Sequence, residues 1–174
     1  LTAHTLYGMD FSVLEQLTSL TSLDLSGCTI SSGSVKAIAS LTNLANLDLH
    51  GCSLNDISPL SSLTRLERLN LSDNVLTDIS ALAACTSLKS LTLSANPISS
   101  IAALAACTGL QELDLSGCQI ASITALSGST ELSLLNLSGN ELTDITPLKA
   151  CEQLTTVDLS HNQLTNIDTL TQIP

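Results

Sequence analysis

Residues 110–127 read LQELDLSGCQIASITALS, and versions of this stretch recur from Leu20 to the C-terminus. The first coil spans 24 residues, and each later coil starts 22 residues after the one before it. The seven coils start at Leu20, Leu44, Leu66, Leu88, Leu110, Leu132 and Leu154. A repeat of this length predicts a solenoid, in which each coil packs on its neighbours and each leucine meets the equivalent leucine of the next coil.

The first half of each coil carries the pattern Leu-x-x-Leu-x-Leu, as at Leu110, Leu113 and Leu115, with Val157 at the middle place in the seventh coil. Alternate apolar positions bury one face of a strand and leave the other face wet. Strands stacked in parallel at a spacing of about 4.8 Å would form one continuous sheet along the array. The first halves therefore predict a long parallel sheet.

The second half of each coil predicts a short helical turn on the outer surface. Ser58, Ser80, Thr124 and Thr146 place a hydroxyl just before a residue suited to the first helical position, which suggests side-chain capping. The apolar residues that follow are spaced for one 3₁₀ or α turn. The longer first coil predicts a helix of about two turns between Ser31 and Leu41.

The two ends of the chain depart from the repeat. Residues 1–19 carry only second-half apolar positions (Phe11, Leu14 and Leu17), and His4, Tyr7 and Met9 add larger side chains, so this segment predicts an N-terminal cap with a partial repeat. Residues 20–174 predict seven repeats with no evident C-terminal cap. Either more protein follows in nature, or we expect that open end to be covered by a partner or by a second copy, which would give an end-to-end homodimer.

The charge of the chain limits its partners. Sixteen acidic and five basic side chains give a net charge of −11, which disfavours a nucleic-acid partner because phosphate binding needs clustered Lys and Arg. No apolar run of about 18 residues and no leader is visible, so membrane insertion is not predicted. The charge favours a protein partner that is basic or of mixed charge.

The fourteenth place of the coils completes a recognisable pattern, because it is isoleucine in six successive coils (Ile57, Ile79, Ile101, Ile123, Ile145 and Ile167). Over roughly residues 9–173 the chain resembles leucine-rich repeat proteins, in the 22-residue form of the internalins and the phosphatase-regulator subfamily. The resemblance implies an α/β right-handed curved solenoid with a concave parallel sheet that recognises proteins. Many animal and plant extracellular relatives carry cysteine-rich end caps. None is visible here, which favours a bacterial or intracellular origin.

The six cysteines fall on two places of the repeat. For the ninth place, the resemblance implies an inward side chain that bonds the backbone; this structural ladder comprises Cys28, Cys52, Asn74, Asn96, Cys118, Asn140 and Asn162. Cys85, Cys107 and Cys151 share the twentieth place with Leu17, Leu41, Leu63 and Ile173, which predicts an apolar core column. Disulfides between adjacent coils remain an alternative. The spacing does not suit zinc. We therefore expect reduced, buried thiols and no cofactor or metal.

The concave face offers one arrangement of catalytic residue types, Asp48, His50 and Ser72 on neighbouring strands. The Asp and the Ser belong to the Leu-Asp-Leu-Ser of most coils, so only His50 is particular to this place, and no oxyanion hole is suggested. A cation site between Asp24 and Asp48 is open to the same objection. We predict that the protein is not an enzyme.

Exposed side chains that break the repeat are the better candidates for recognition. They are His50, Glu67, Arg68, Asp73, Lys89, Gln111, Glu112 and Leu134. Glu67 is expected beside Lys89, Arg68 beside Glu112 two coils on, and Leu134 is expected to be the one large apolar side chain pointing outward. These residues predict a non-catalytic protein–protein interaction module. The alternative is a structural spacer or oligomerisation segment of a larger bacterial surface or secreted effector protein.

Overall fold

The computed structural model describes residues 11–172, and seven short parallel strands in sequence order form its single open sheet. Strands β1 to β7 are Ser22–Asp24, Asn46–Asp48, Arg68–Asn70, Ser90–Thr92, Glu112–Asp114, Leu134–Asn136 and Thr156–Asp158. The pairing register keeps equivalent places of successive coils side by side, as in Leu91↔Leu113. This register confirms the predicted parallel sheet and makes every place of the repeat a column running along the array.

The leucine positions of the coils form one continuous core. The central residue of each strand points inward, and in the stretch quoted first Leu110, Leu113 and Leu115 are all buried. Burial of a leucine side chain contributes about 2 kcal/mol, so a core of identical columns holds each coil to the next. The array is a right-handed leucine-rich-repeat solenoid, with the sheet on its concave side.

The outer surface is made of single 3₁₀ turns, as the spacing of the second halves predicted. These turns are Phe11–Gln16, Ser58–Ser62, Ser80–Ala84, Ala102–Ala106, Thr124–Gly128, Thr146–Ala150 and Asp168–Gln172. The five turns between Ser58 and Ala150 each bury one leucine, such as Leu104 or Leu126, and adjacent turns pack on one another.

The predicted capping hydroxyls are wrong. The 3₁₀ turns that begin at Ser58, Ser80, Thr124 and Thr146 have no side-chain cap from those residues. At three of these turns an aspartate two residues earlier accepts the backbone N–H: the acceptors are Asp56, Asp78 and Asp144, each at 2.8 Å. A carboxylate two residues ahead of an N–H closes an Asx turn, which a hydroxyl at the cap position does less well. The pKa of Asp144 is lowered because the Thr146 side chain and backbone donate to it.

The longer first coil carries a true helix, as predicted. Helix α1 spans Ser32–Ala39, and Ser31 caps it by accepting from the Ser34 backbone N–H at 3.3 Å. Val35 and Ile38 point into the core. Within residues 11–172, no helix has the length and apolar character to cross a bilayer.

The ends of the array are less buried than its middle. Phe11 and Leu14 are buried, but Leu17 is 39% exposed, so the predicted core column does not extend to it. Its turn packs against one neighbouring element among the described residues, whereas central turns pack against two. Ile167, in the seventh coil, is 56% exposed for the same reason. The remaining side chains of the predicted cap, His4, Tyr7 and Met9, lie outside the described residues, as does Ile173 of the predicted core column.

The eighth place of every coil adopts a left-handed backbone. Four coils place glycine there, at positions 27, 51, 117 and 139, while Asp73, Ala95 and His161 adopt φ values of 53° to 54°. The chain leaves the strand at this residue, and the turn requires positive φ. A side chain at such a position is strained unless it is small or bonds locally.

Replacing Ala95 with Gly is therefore expected to raise the free energy of unfolding by about 1 kcal/mol, because glycine adopts the left-handed conformation without a Cβ clash. Urea denaturation of the two proteins measures the difference. Gly117→Ala, the reverse change in the next coil, should lose a similar amount. A loss of stability in Ala95→Gly would contradict the left-handed backbone conformation at residue 95.

The ninth-place side chains turn inward from these bends. Asn74 donates to the carbonyls of Leu49 and Leu71, both at 2.9 Å, and its Oδ1 accepts from the Leu54 backbone N–H at 2.8 Å. Cys118 has only a donor to offer, and its Sγ lies 3.5 Å from the Leu93 carbonyl oxygen. The backbone N–H of Ile98 then bonds within its own turn, to the Asn96 carbonyl. Asparagine therefore joins two coils by donating and by accepting hydrogen bonds, whereas cysteine joins them only by donating.

All six cysteine thiols are free and buried, in two columns of the core. Burial raises the pKa of Cys52 and Cys85 to about 11. The thiolate is the reactive form, so the folded protein should react with a thiol reagent at pH 8 far more slowly than a free cysteine does.

Unreduced protein is expected to titrate six thiols once denatured and almost none while folded. The measurement is absorbance after addition of an aromatic disulfide reagent, with and without guanidinium. Four or fewer thiols in the denatured sample would indicate disulfides and contradict the core assignment.

Candidate functional site on the concave face

The outer side of the sheet presents three columns of side chains, which together form the surface called the concave face here. The third places of the coils are Ser22, Asn46, Arg68, Ser90, Glu112, Leu134 and Thr156. The fifth places are Asp24, Asp48, Asn70, Thr92, Asp114, Asn136 and Asp158. The seventh places are serine except for His50. Strand alternation points all three columns away from the core.

The fifth-place column is held by the backbone. Asp114 Oδ1 accepts from the Ser116 backbone N–H at 2.9 Å, and Asn70 and Asn136 accept in the same way. The pKa of Asp158 is lowered because Ser160 donates to its carboxylate. These carboxylates and amides shape the exit from each strand, so their recurrence reflects structure. Thr92 lacks the acceptor that the Asp and Asn side chains provide.

The histidine of this face does not form a catalytic relay. His50 Nδ1 lies 2.9 Å from Ser72 Oγ and 3.4 Å from Asp73 Oδ2. Asp48 accepts instead from the backbone N–H of His50. A triad needs the carboxylate on one ring nitrogen and the nucleophile on the other, whereas here one nitrogen faces both groups. Ser72 Oγ is also a donor to Asn70 Oδ1, at 2.7 Å.

Two charged residues pair across neighbouring strands as predicted. Lys89 Nζ donates to Glu67 Oε2 at 3.0 Å, on the edge where the chain enters the sheet. This bond lowers the pKa of Glu67. An exposed pair of this kind contributes little to stability, about 0–1 kcal/mol.

The second predicted pair is wrong. Arg68 Nη1 turns toward Asn46 Oδ1, 3.4 Å away, and Glu112 Oε2 accepts from Ser90 Oγ at 2.9 Å. The register places Ser90 between Arg68 and Glu112. Arg68 and Glu112 are therefore two strand spacings apart, about 9.6 Å. Their side chains do not meet across that distance when each is hydrogen-bonded to a nearer neighbour.

The remaining predicted residues lie at the rim and on the face. Gln111 is exposed beside the entry edge, and Asp73 is exposed at the turn leaving β3. Leu134 is 43% exposed on β6 and is the large apolar side chain on the three columns of the face, whereas Val75, 55% exposed, lies outside the face.

Two shallow hollows divide the concave face and meet at Ser90 and Thr92. The first, of about 290 Å³, lies over β1–β4 and includes Arg68 in its lining. The second, of about 280 Å³, lies over β4–β7 and brings Glu112 and Leu134 together. The residues lining the second hollow are Ser90, Leu91, Thr92, Glu112, Leu113, Asp114, Leu134, Leu135, Asn136, Thr156 and Asp158. Lys89 and Gln111 line neither.

Sequence reasoning missed Asp114, Thr156 and Asp158 as members of this site. These residue types recur at the same places in other coils, so a search for residues that break the repeat could not find them. Column alignment could have placed them beside Leu134, because the register puts Thr156 directly across from it. Nowhere in residues 11–172 do three or more His, Cys, Asp or Glu side chains gather in a way that could hold a metal.

The sequence matches family models of leucine-rich repeats. A model of two repeat copies matches residues 42–84, 86–128 and 130–172, and a single-repeat model matches residues 16–39. No curated protein sequence matches the chain. The leucine-rich repeat fold is a known scaffold for protein–protein interaction, and proteins built from it are generally non-catalytic.

Solved structures give the same architecture. Internalin C2 of Listeria monocytogenes superposes with a TM-score of 0.88 at 27% identity, over 99% of this chain and 74% of that one. The Listeria monocytogenes internalin inlF gives 0.84 at 30% identity, over 94% of this chain and 55% of that one.

A third similar structure contains a bound partner. The leucine-rich-repeat ectodomain of an Arabidopsis thaliana membrane receptor kinase, solved in complex with Casparian strip integrity factor 2, gives a TM-score of 0.79 at 26% identity. The match covers 93% of this chain and 21% of that one. The repeats, their register and these matches together show that the chain belongs to the leucine-rich repeat family and is an internalin-like leucine-rich repeat protein.

Proposed function

We propose that this protein is a non-catalytic interaction module that binds a protein partner on its concave face. One observation carries the proposal: several exposed side chains that depart from the repeat lie together on and around one side of the sheet. Arg68, Glu112 and Leu134 occupy a single column, and Lys89 and Gln111 follow its edge. Residues that repeat from coil to coil maintain the fold, so the exposed residues that do not repeat are the ones that can determine which partner binds.

The dimensions of the face suit a protein. Seven strands at about 4.8 Å extend over roughly 30 Å, which can supply the half-interface of about 800 Å² found in stable complexes. The face carries small polar side chains and no aromatic anchors, the residues that dominate tight interfaces. We therefore expect a contact of modest affinity.

The charge of the face favours a partner that is basic or of mixed charge. Glu112, Asp114 and Asp158 line the second hollow, whereas Arg68 lines the first. Opposite charge on a partner would speed association at low salt. Dissolved ions would screen this attraction, so it would weaken as ionic strength rises. Binding is expected to fall as NaCl is raised.

A matched pair of charge reversals tests the proposal. Arg68→Glu/Lys89→Glu changes the concave side, and Lys36→Glu/Lys149→Glu makes the same change in net charge on the exposed outer surface, in α1 and in the turn Thr146–Ala150. Tagged wild type and both variants would capture proteins from a lysate of the source cell, with bound proteins quantified by mass spectrometry. Selective loss with the first variant supports the concave face. Equal capture by all three proteins would contradict it.

A second function has its own observation. The apolar residues Leu154, Val157, Leu159 and Leu164 of the seventh coil are only partly buried, whereas their equivalents in the central coils are fully buried. This coil would gain burial from a second copy or from another segment, which favours a spacer or oligomerisation role. With a second copy the product would be an end-to-end homodimer.

Light scattering tests the homodimer. A concentration-dependent rise toward twice the monomer mass, abolished by Val157→Lys, would support it. A constant monomer mass up to high micromolar concentration would exclude it for this chain.

A further inference from the structure

The second hollow of the concave face is shallow and small. Its volume of about 280 Å³ lies near the lower end of the 300–1,000 Å³ that is typical of small-molecule pockets. It is also open to solvent along the sheet, so a ligand would be covered on one side only. A single long side chain projecting from a protein partner fits such a depression.

The hollow has an apolar patch where the rest of the column is polar. Leu134 is 43% exposed, and the other six strands place Ser, Asn, Arg, Ser, Glu and Thr at the same position. An exposed leucine on an otherwise polar face gains from contact with an aliphatic chain, because each CH₂ group removed from water is favourable.

Carboxylates surround that leucine. The register places Glu112 directly across from Leu134 on β5, and Asp114 and Asp158 flank Asn136 in the fifth-place column. Glu112 bonds Ser90 through one oxygen, and Asp114 and Asp158 each use Oδ1 to bond a backbone N–H. No lysine or arginine lines the hollow. The chemistry is therefore that of an alkyl surface beside anionic oxygens.

We propose that this hollow receives one arginine or lysine side chain of the protein partner. Its methylene groups lie against Leu134, and its cationic head lies against the carboxylates of Glu112 and Asp114. Long basic side chains combine an apolar stem with a charged tip, which matches both halves of the site. This inference rests on the proposed function and adds to it the residue type at the centre of recognition.

Amino-acid probes test the hollow without the natural partner. The N-acetyl N-methylamides of arginine, lysine, norleucine and glutamate would be titrated into ¹⁵N-labelled protein at low salt. The arginine and lysine probes should shift amide resonances of β5, β6 and β7 with a Kd of about 10 mM, as expected for a ligand of so few atoms. Norleucine has the apolar stem without the charge and should bind at least about fivefold more weakly. Glutamate should leave these resonances unchanged.

Two variants and two controls locate the contact. Leu134→Ser restores the polar residue of other coils and Glu112→Gln removes one charge; each should weaken the arginine probe about threefold to fivefold. Val75→Ser and Glu141→Gln make the same changes on exposed turns outside the face and should have no effect. Shifts absent from β5–β7, or norleucine binding as well as arginine, would overturn the inference.

The same variants separate this inference from the function on which it rests. If partner capture is lost with Arg68→Glu/Lys89→Glu but survives Leu134→Ser and Glu112→Gln, the side-chain assignment is wrong and the concave face remains the binding surface. Loss of capture with all of these concave variants supports both.

Discussion

Replacing Asn96 with Ala is expected to lower the free energy of unfolding by about 3–5 kcal/mol, because several buried backbone groups lose their partner at once. Asn96 is 2% exposed. Its Nδ2 donates to the carbonyls of Leu71 and Leu93 at 2.9 and 3.0 Å, and its Oδ1 accepts from the Leu76 backbone N–H at 3.0 Å. The amide therefore joins the third coil to the fourth, in the middle of the array.

The chain supplies its own control for that experiment. Cysteine stands at the ninth place in three coils, where it keeps a weak donor and loses the acceptor. Asn96→Cys should therefore cost about 1–2 kcal/mol, less than half of the alanine variant. Urea denaturation followed by circular dichroism measures both. Equal costs for the two variants would show that cavity formation, and not hydrogen bonding, sets the loss.

Replacing Leu104 with Ala is expected to cost about 3 kcal/mol, the usual loss for a fully buried leucine whose site cannot collapse. Leu104 has no exposed surface and lies in the central turn Ala102–Ala106, which packs against the turns on both sides. In a repeat array each interface contributes to stability, so a central cavity weakens two of them.

Leu170 occupies the same place in the seventh coil but is only partly buried, in the turn Asp168–Gln172. Leu170→Ala should cost about 1 kcal/mol, since less apolar surface is lost and one described neighbour is affected. The comparison uses denaturant midpoints and hydrogen exchange of the central amides. Similar losses for the two variants would contradict the nearest-neighbour account.

The repeat made the fold predictable, because a fixed period places the same residue type in the same column of every coil. The strands, the outer 3₁₀ turns, helix α1 and the Glu67–Lys89 pair all follow from that alignment. The end effects at Leu17 and Ile167 did not follow, since periodicity carries no information about how many neighbours a coil has.

The site was less predictable for a different reason. Side chains choose among nearby partners, so Arg68 and Glu112 each bond a closer residue than the distant one that charge alone suggested. The helical caps were misassigned because a carboxylate two residues earlier competes with the hydroxyl. The second hollow depends on repeat-typical residues beside Leu134, and these are invisible to a search for departures from the pattern.

The central claim is that recognition lies on the concave face, and site-specific photo-cross-linking tests it most directly. A benzophenone amino acid would replace either Gln111, on the rim of that face, or Ala105, exposed on the outer surface one coil away. After irradiation in a lysate of the source cell, the probe at position 111 should give a discrete cross-linked product that the probe at position 105 does not. A product from position 105 with none from position 111 would contradict the claim.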